Sequence, residues 1–190
     1  MSNLTRRAIT ESFIRLIGEK PLDKITVKDI VEDCGITRNT FYYHYQDIYA
    51  LLHEVLQHET ESVLAEFHGE SSWEEVFVRA AHFMLENRRA VMHIFHSNRR
   101  EEVEAYVDQL SKLVMEGFVR RWAGEIPAKE EDVRLIATFY RHALAGLLEE
   151  WFNDGMKEEP EQVIHRVAQL FDGSIEMALR RSAGMPPAGA

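Results

Sequence analysis

What this chain lacks narrows it quickly. Its 190 residues hold one cysteine, Cys34, so no disulfide can close within it. That suits a reducing compartment, and Cys34 reads as a small buried residue ahead of a turn. No apolar run reaches the roughly 20 residues that span a bilayer. The opening MSNLTRR has no signal-peptide core. The expectation is a soluble cytoplasmic protein with no membrane partner. No glycine-rich phosphate loop and no nucleophile motif appear, so no catalytic residue and no cofactor are assigned. No alternating strand pattern and no internal repeat occur, which leaves an all-α chain. Positive charge is scarce as well: 22 Lys and Arg stand against 32 Asp and Glu, a net charge of −10. Residues 1–53 hold seven of each sign, so the whole acidic excess lies behind them. A uniformly basic surface is excluded.

What is present centres on Thr26 to Tyr45, TVKDIVEDCGITRNTFYYHY. Thr26 suits an N-cap, and Asp29 can stand in for the Glu of a capping box. Val27, Ile30 and Val31 share one helix face. Gly35 permits the left-handed turn that ends many helices. Ile36 can plug the angle that follows, and Thr37 caps a second helix. Its first turn projects Arg38, Asn39 and Thr40, the position from which a helix-turn-helix reads the major groove. Arg38 can bond guanine bidentately and Asn39 adenine, while Thr40 can meet a thymine methyl or a phosphate. Phe41 should face inward. Tyr42, Tyr43, His44 and Tyr45 offer polar atoms at the flank, where phosphates lie. A hairpin in an ordinary bundle would have to bury its aromatics. Four among residues 41–45 are more than a small domain buries easily, and tyrosine hydroxyls suit a wet surface. With the segment electrically balanced, positive potential must come from Arg6, Arg7, Lys28, Arg38 and the helix N-termini. The acidic remainder should repel DNA in other orientations, giving modest affinity for random duplex.

From about Arg7 to Leu52 the chain resembles the TetR family of transcriptional regulators. The residues that carry this are Ala8, Phe13, Leu16, Ile17, Ile25-Thr26-Val27, Ile30, Cys34-Gly35-Ile36-Thr37, Thr40-Phe41-Tyr42, His44-Tyr45 and Leu51. The resemblance implies a helical dimer. Three N-terminal helices bind double-stranded DNA, and a larger C-terminal domain dimerises and often binds a small effector. By position, Thr26, Thr37, Arg38, Thr40, Tyr42 and His44 match places that commonly contact DNA; Lys28, Asn39 and Tyr43 are added from the residues themselves. Members often carry a lysine where this chain has Ile48, which removes one expected phosphate contact, and an alanine where it has Cys34. A weaker resemblance rests on Phe139, Tyr140, Gly146, Trp151, Gly155-Met156 and Glu159-Pro160. It points to a TetR subgroup typical of Gram-positive bacteria, some members of which work with protein partners.

The expected fold is an N-terminal three-helix helix-turn-helix domain followed by a C-terminal helical bundle, about nine helices in all. Residues 1–47 form the first domain, 48–182 the effector-binding and dimerisation domain, and 183–190 a disordered tail. The first helix spans Leu4 to Glu19, with Ile9, Phe13, Leu16 and Ile17 inward. Asp47 caps a linking helix to about Phe67, and His68-Gly69-Glu70-Ser71 forms a turn. Ser72 and Glu75 make a capping box for a helix to Glu86. Further helices cover Arg89–His96, Glu101–Trp122, Glu130–Phe152 and Pro160–Arg181. Helices 130–152 and 160–181 are apolar over much of their circumference, which suits an intersubunit four-helix bundle and a homodimer on a palindromic site.

Two constellations in the second domain bear on function. His53-Glu54 with His58 imitates a metalloprotease motif, but its histidines stand five apart, about 140° apart around a helix. His93 and His96 can share a ligand with nearby carboxylates and His82 or His142, though no spacing requires it, and no metal site is assigned. Phe83, Phe95, Phe118, Trp122, Phe139 and Tyr140 are candidates to line an effector cavity, with Met84, Met92 and Met115 lending adaptability. The leading reading is a DNA-binding regulator, a repressor on the family resemblance, modulated by a small molecule or partner that tilts the linking helix. Two alternatives stay open: a helical module acting through a protein partner, and a His/carboxylate metal-binding bundle.

Overall fold

The computed structural model describes residues 2–65, 72–171 and 173–186, with side chains from residue 4 onward. Among the described residues there are ten α-helices, one 3₁₀ turn and no strand. They are α1 (Ser2–Glu19), α2 (Val27–Cys34), α3 (Arg38–His44), α4 (Ile48–Ala65), α5 (Trp73–Glu86), α6 (Arg88–Phe95), α7 (Arg100–Ala123), α8 (Glu130–Asn153), α9 (Pro160–Leu170) and α10 (Ser174–Ser182). The turn at 68–71, the linking helix at 66–67 and the tail at 187–190 lie outside the described residues. No described helix is long and apolar enough to cross a membrane.

The chain divides into two compact units. The first takes residues up to Ser62 together with Met84–Tyr106. In it α1 contributes Ile9, Phe13 and Ile17, one stripe at i, i+4 and i+8, all buried, with Leu16 half-buried beside them. This stripe packs on α2 and α6. A 3₁₀ turn at Leu22–Lys24 follows Pro21 and buries Leu22. The sequence pattern gives no sign of that turn. His93 of α6 meets the Ile17 carbonyl through Nδ1 at 2.6 Å, a packing contact that ties α6 to the end of α1. Helix α4 opens on the expected cap, with the Ala50 amide donating to Asp47 Oδ1 at 2.8 Å, and buries Leu51 and Leu52.

The second unit takes residues 63–83 and those from Val107 onward. The Ser72–Glu75 capping box forms in both directions, each bond 3.1 Å long. The core gathers Val76, Phe77 and Ala80 of α5, Leu110, Val114 and Met115 of α7, and Ala137, Leu148 and Phe152 of α8. Asp108 of α7 accepts Arg141 Nε of α8 at 2.7 Å. After α8 the chain turns at Gly155 and Met156, both left-handed, with the Met156 amide donating to the Trp151 carbonyl at 2.8 Å. Met156 is a non-glycine residue in that region and its side chain is buried, so packing offsets the backbone cost.

One helix expected from the sequence is two. The pattern from Pro160 to Arg181 is broken after Leu170, because Gly173 takes a φ of 67° and re-aims the chain into α10. The apolar period continues across the break, so periodicity alone reads through it. Ser182 then fastens α10 to the start of α8, donating to Asp132 at 2.6 Å and accepting from the Lys129 amide at 3.0 Å.

Candidate nucleic-acid interface

Helices α2 and α3 form from local rules that can be followed residue by residue. Thr26 Oγ1 accepts the Asp29 amide at 3.2 Å, and the Asp29 carboxylate accepts the Thr26 amide at 2.8 Å and its hydroxyl at 2.7 Å. Lys20 Nζ lies 3.0 Å from the same carboxylate. The Thr26 hydroxyl and amide, then Lys20, hold the Asp29 carboxyl down at about 2. Gly35 ends α2 at a φ of 67°, and the Ile36 amide returns to the Val31 carbonyl at 3.0 Å. Thr37 caps α3 by accepting the Thr40 amide at 3.2 Å, and the two threonine hydroxyls bond each other at 2.9 Å.

Seven residues are too few for a helix to stand alone in water. Helix α3 is held by Phe41, which is fully buried. Burying such a ring contributes roughly 1.5–3 kcal/mol. With Phe41 anchored, the opposite face is presented outward. Arg38 and Asn39 are exposed in the first turn, and Arg38 has no protein partner among the described residues. Tyr42 is 55% exposed and stands edge-on to Phe41, while Tyr43 is 81% exposed. His44 is half-buried with its ring edge-on to Tyr43. Thr26, Lys28 and Thr37 are exposed, and Thr40 is half-buried. All nine sequence-derived candidates therefore lie on α2, α3 or their caps, within one unit.

Two expectations for this region are corrected. Tyr45 does not offer its hydroxyl at the flank. It is buried, and its hydroxyl donates to Glu54 Oε1 at 2.7 Å. Arg6 Nε donates to the same oxygen at 2.8 Å and its guanidinium lies over the Tyr45 ring. Burial raises the Glu54 carboxyl, but Arg6 and the Tyr45 hydroxyl outweigh it and the carboxyl lies below its usual range. Burial pushes the Tyr45 phenol up. The second correction concerns charge. Arg6 pairs with Glu54, Arg7 with Glu11 at 2.7 Å, and Lys28 lies 3.6 Å from Glu32. Of the four cations expected to supply positive potential, Arg38 is the one that faces outward without a carboxylate partner among the described residues. The Arg6–Tyr45–Glu54 cluster was missed from sequence because its members are up to 48 residues apart and share no motif.

The six effector candidates are not gathered round one cavity. Phe95 belongs to the first unit, buried beneath the Arg100 guanidinium at 4.2 Å. The other five belong to the second. Phe118 and Trp122 line a shallow hollow of about 300 Å³ with Ser72, Arg121 and Glu125. Phe83 is half-buried on α5, Phe139 is 65% exposed, and the Tyr140 hydroxyl bonds Ser174. A larger open groove of about 440 Å³ lies elsewhere in this unit, between α8 and α9, lined by none of the six. Its apolar lining includes Leu144, Leu148, Trp151, Val163 and Ile164. No group of three or more His, Cys, Asp or Glu among the described residues is placed to hold a metal ion.

Comparison with known proteins agrees at both ends of the chain. Residues 9–55 match the family model described as bacterial regulatory proteins of the tetR family, and residues 71–173 match one described as a transcriptional regulator C-terminal region. Two curated relatives come from Bacillus subtilis strain 168, both named as uncharacterized HTH-type transcriptional regulators. YxbF is 26% identical over 172 residues, covering 88% of this chain and 44% of its own length. YvdT is 30% identical over 69 residues, 34% of this chain and 36% of its own length. The chain thus spans less than half the length of the curated relatives it matches. Among solved structures, the dihydroxyacetone kinase operon activator DhaS superposes with a TM-score of 0.75 at 16% identity, covering 91% of this chain and 97% of that one. NalD, the secondary repressor of the MexAB-OprM multidrug efflux pump in Pseudomonas aeruginosa, gives 0.61 at 20% identity, covering 94% and 98%. At these identities the likeness is one of fold.

Proposed function

The chain belongs to the TetR family of DNA-binding transcriptional regulators, and on that premise we propose that it represses transcription by occupying a palindromic operator as a homodimer. One observation carries the DNA contact: Arg38 and Asn39 stand exposed in the first turn of the second helix of the pair, while Phe41 behind them is fully buried. A rigidly anchored helix with an uncommitted guanidinium at its start suits base reading in the major groove. Thr26, Lys28, Thr37, Thr40, Tyr42, Tyr43 and His44 take the phosphate and flanking contacts.

Support for the dimer comes from α8. Leu135 and Phe139 are 66% and 65% exposed, and Ala143 and Gly146 continue the same stripe in the open. An uncovered apolar stripe of this kind marks an association surface. Two-fold pairing sets two reading heads on a two-fold site. A small molecule or protein partner in the second unit changes the spacing of the heads, which it does only by binding one spacing better than the other. The sign of regulation does not follow from fold, since DhaS is an activator and NalD a repressor. Repression by promoter occupancy is the simpler mechanism for a bound dimer, acting in the cytoplasm where the DNA lies.

The test is selection of bound duplexes from a random pool. A palindrome is expected among the survivors, and its absence overturns the reading. On the selected site Arg38→Ala should lose roughly 1–3 kcal/mol of binding while binding to random duplex barely changes. Equal loss on both would make Arg38 a phosphate contact.

A further inference from the structure

The groove between α8 and α9 combines an apolar floor with a rim of one charge. Leu144, Leu148, Trp151, Val163 and Ile164 line it, and the charged residues at its edge are Glu150, Asp154 and Glu158, with no lysine, arginine or histidine among the lining side chains. Asp154 shares its charge with Lys157 at 3.4 Å. Glu150 and Glu158 are exposed and have no side-chain partner among the described residues. Trp151 is nine-tenths buried and its indole N–H is already committed to the Glu158 carbonyl at 2.8 Å, so the indole adds apolar and π surface and no free donor. The volume, about 440 Å³, is that of a small-molecule site. Helix α9, one wall of the groove, is fixed to α5 by two histidine–carboxylate pairs, His82 with Glu161 and His165 with Glu74.

We propose that this groove binds an amphiphilic organic cation, its apolar body against Leu148, Trp151 and Ile164 and its charge between Glu150 and Glu158. Charge decides the occupant. Anionic and zwitterionic amphiphiles bring a negative group to a rim that is already negative, and a neutral one leaves both carboxylates unused. A second copy of the chain brings the acidic half of a molecule with a net charge of −10. The uncovered α8 stripe of Leu135, Phe139, Ala143 and Gly146 carries no carboxylate and is the better seat for a copy. A cation that strips little water from its own charge gains most here, because the carboxylates stay partly hydrated at the rim while the body leaves water. That this ligand acts as the effector rests on the regulator reading given above; that it binds does not.

The probes are tetraphenylphosphonium and the near-isosteric tetraphenylborate, titrated calorimetrically into the full chain without DNA. The phosphonium should bind at least about tenfold more tightly than the borate. Glu150→Gln with Glu158→Gln, both at exposed positions, should remove that preference while circular dichroism stays unchanged. Val163→Arg should abolish binding of both ions by filling the groove. Equal binding of the two ions, a preference that survives the double glutamine variant, or no phosphonium binding would each overturn the proposal. So would a Val163→Arg chain that turns monomeric in sedimentation, since a second copy would then be the occupant. Saturating phosphonium should also shift the affinity for the selected operator; no shift overturns the effector role. Failure to select any operator would sink the regulator reading and leave the binding isotherm standing.

Discussion

Asp29 accepts two hydrogen bonds from Thr26 and faces the Lys20 ammonium, and all three favour its charged form. Its carboxyl titrates near 2 in the folded chain, below the ordinary value of 3.8. A depressed folded value means a contribution to stability that is complete above the unfolded value and is lost as pH falls through the folded one. Urea denaturation should therefore show stability falling between about pH 4 and pH 2. Asp29→Asn should flatten that fall and cost about 1 kcal/mol near neutrality, the usual size of a cap. An unchanged acid limb in the variant would show that other carboxylates carry it. The Thr26–Asp29 box was legible in sequence because its members are three residues apart. Lys20 was not, because it reaches Asp29 across the Leu22–Lys24 turn. Tyr45 misled for a related reason: its hydroxyl suits water, but Glu54 and Arg6 supply partners from distant parts of the chain.

At the scale of elements, α3 depends on what precedes it. Gly35 must hold a φ of 67°, and a Cβ added there would meet no neighbouring atom, so any cost of substitution is backbone strain alone. Gly35→Ala should destabilise the chain by roughly 1–2 kcal/mol in urea denaturation, and Gly35→Asn by less. Equal losses for the two would mean that something other than left-handed strain is at work. The helix pair was readable because cap, apolar face, glycine and second cap follow one another locally. The division of the last helix into α9 and α10 was not. Gly173 sits inside an unbroken apolar period, and a glycine there reads equally as a tolerated helix residue or a turn. Only tertiary packing selects between them.

For the whole molecule, the exposed apolar stripe on α8 is the feature on which the proposed dimer rests, since an uncovered apolar patch marks an association surface. Sedimentation should show a dimer at micromolar concentration, and Phe139→Glu should weaken it by at least about tenfold with helicity unchanged. The substitution spares the fold because Phe139 is 65% exposed in the single chain. A variant as dimeric as the parent would place the interface elsewhere. Periodicity revealed that α8 is apolar on more than one side but not which neighbour covers each side. For the same reason the six aromatic effector candidates scatter: helical spacing says that a residue faces inward somewhere, while a cavity depends on which helices meet. The groove was invisible in sequence because its lining comes from α5, α8 and α9 together, and its two rim carboxylates, which have no side-chain partner among the described residues, are ordinary surface residues until the helices are placed. The cluster of Arg6, Tyr45 and Glu54 has a bearing on grafting. Anyone moving this reading head to a foreign body would be tempted to cut just after the last tyrosine. Such a cut would strand a buried phenol and an arginine without their shared acceptor, so a graft has to run from before Arg6 at least through Glu54 and has to supply a cover for the α1 face that packs on α6.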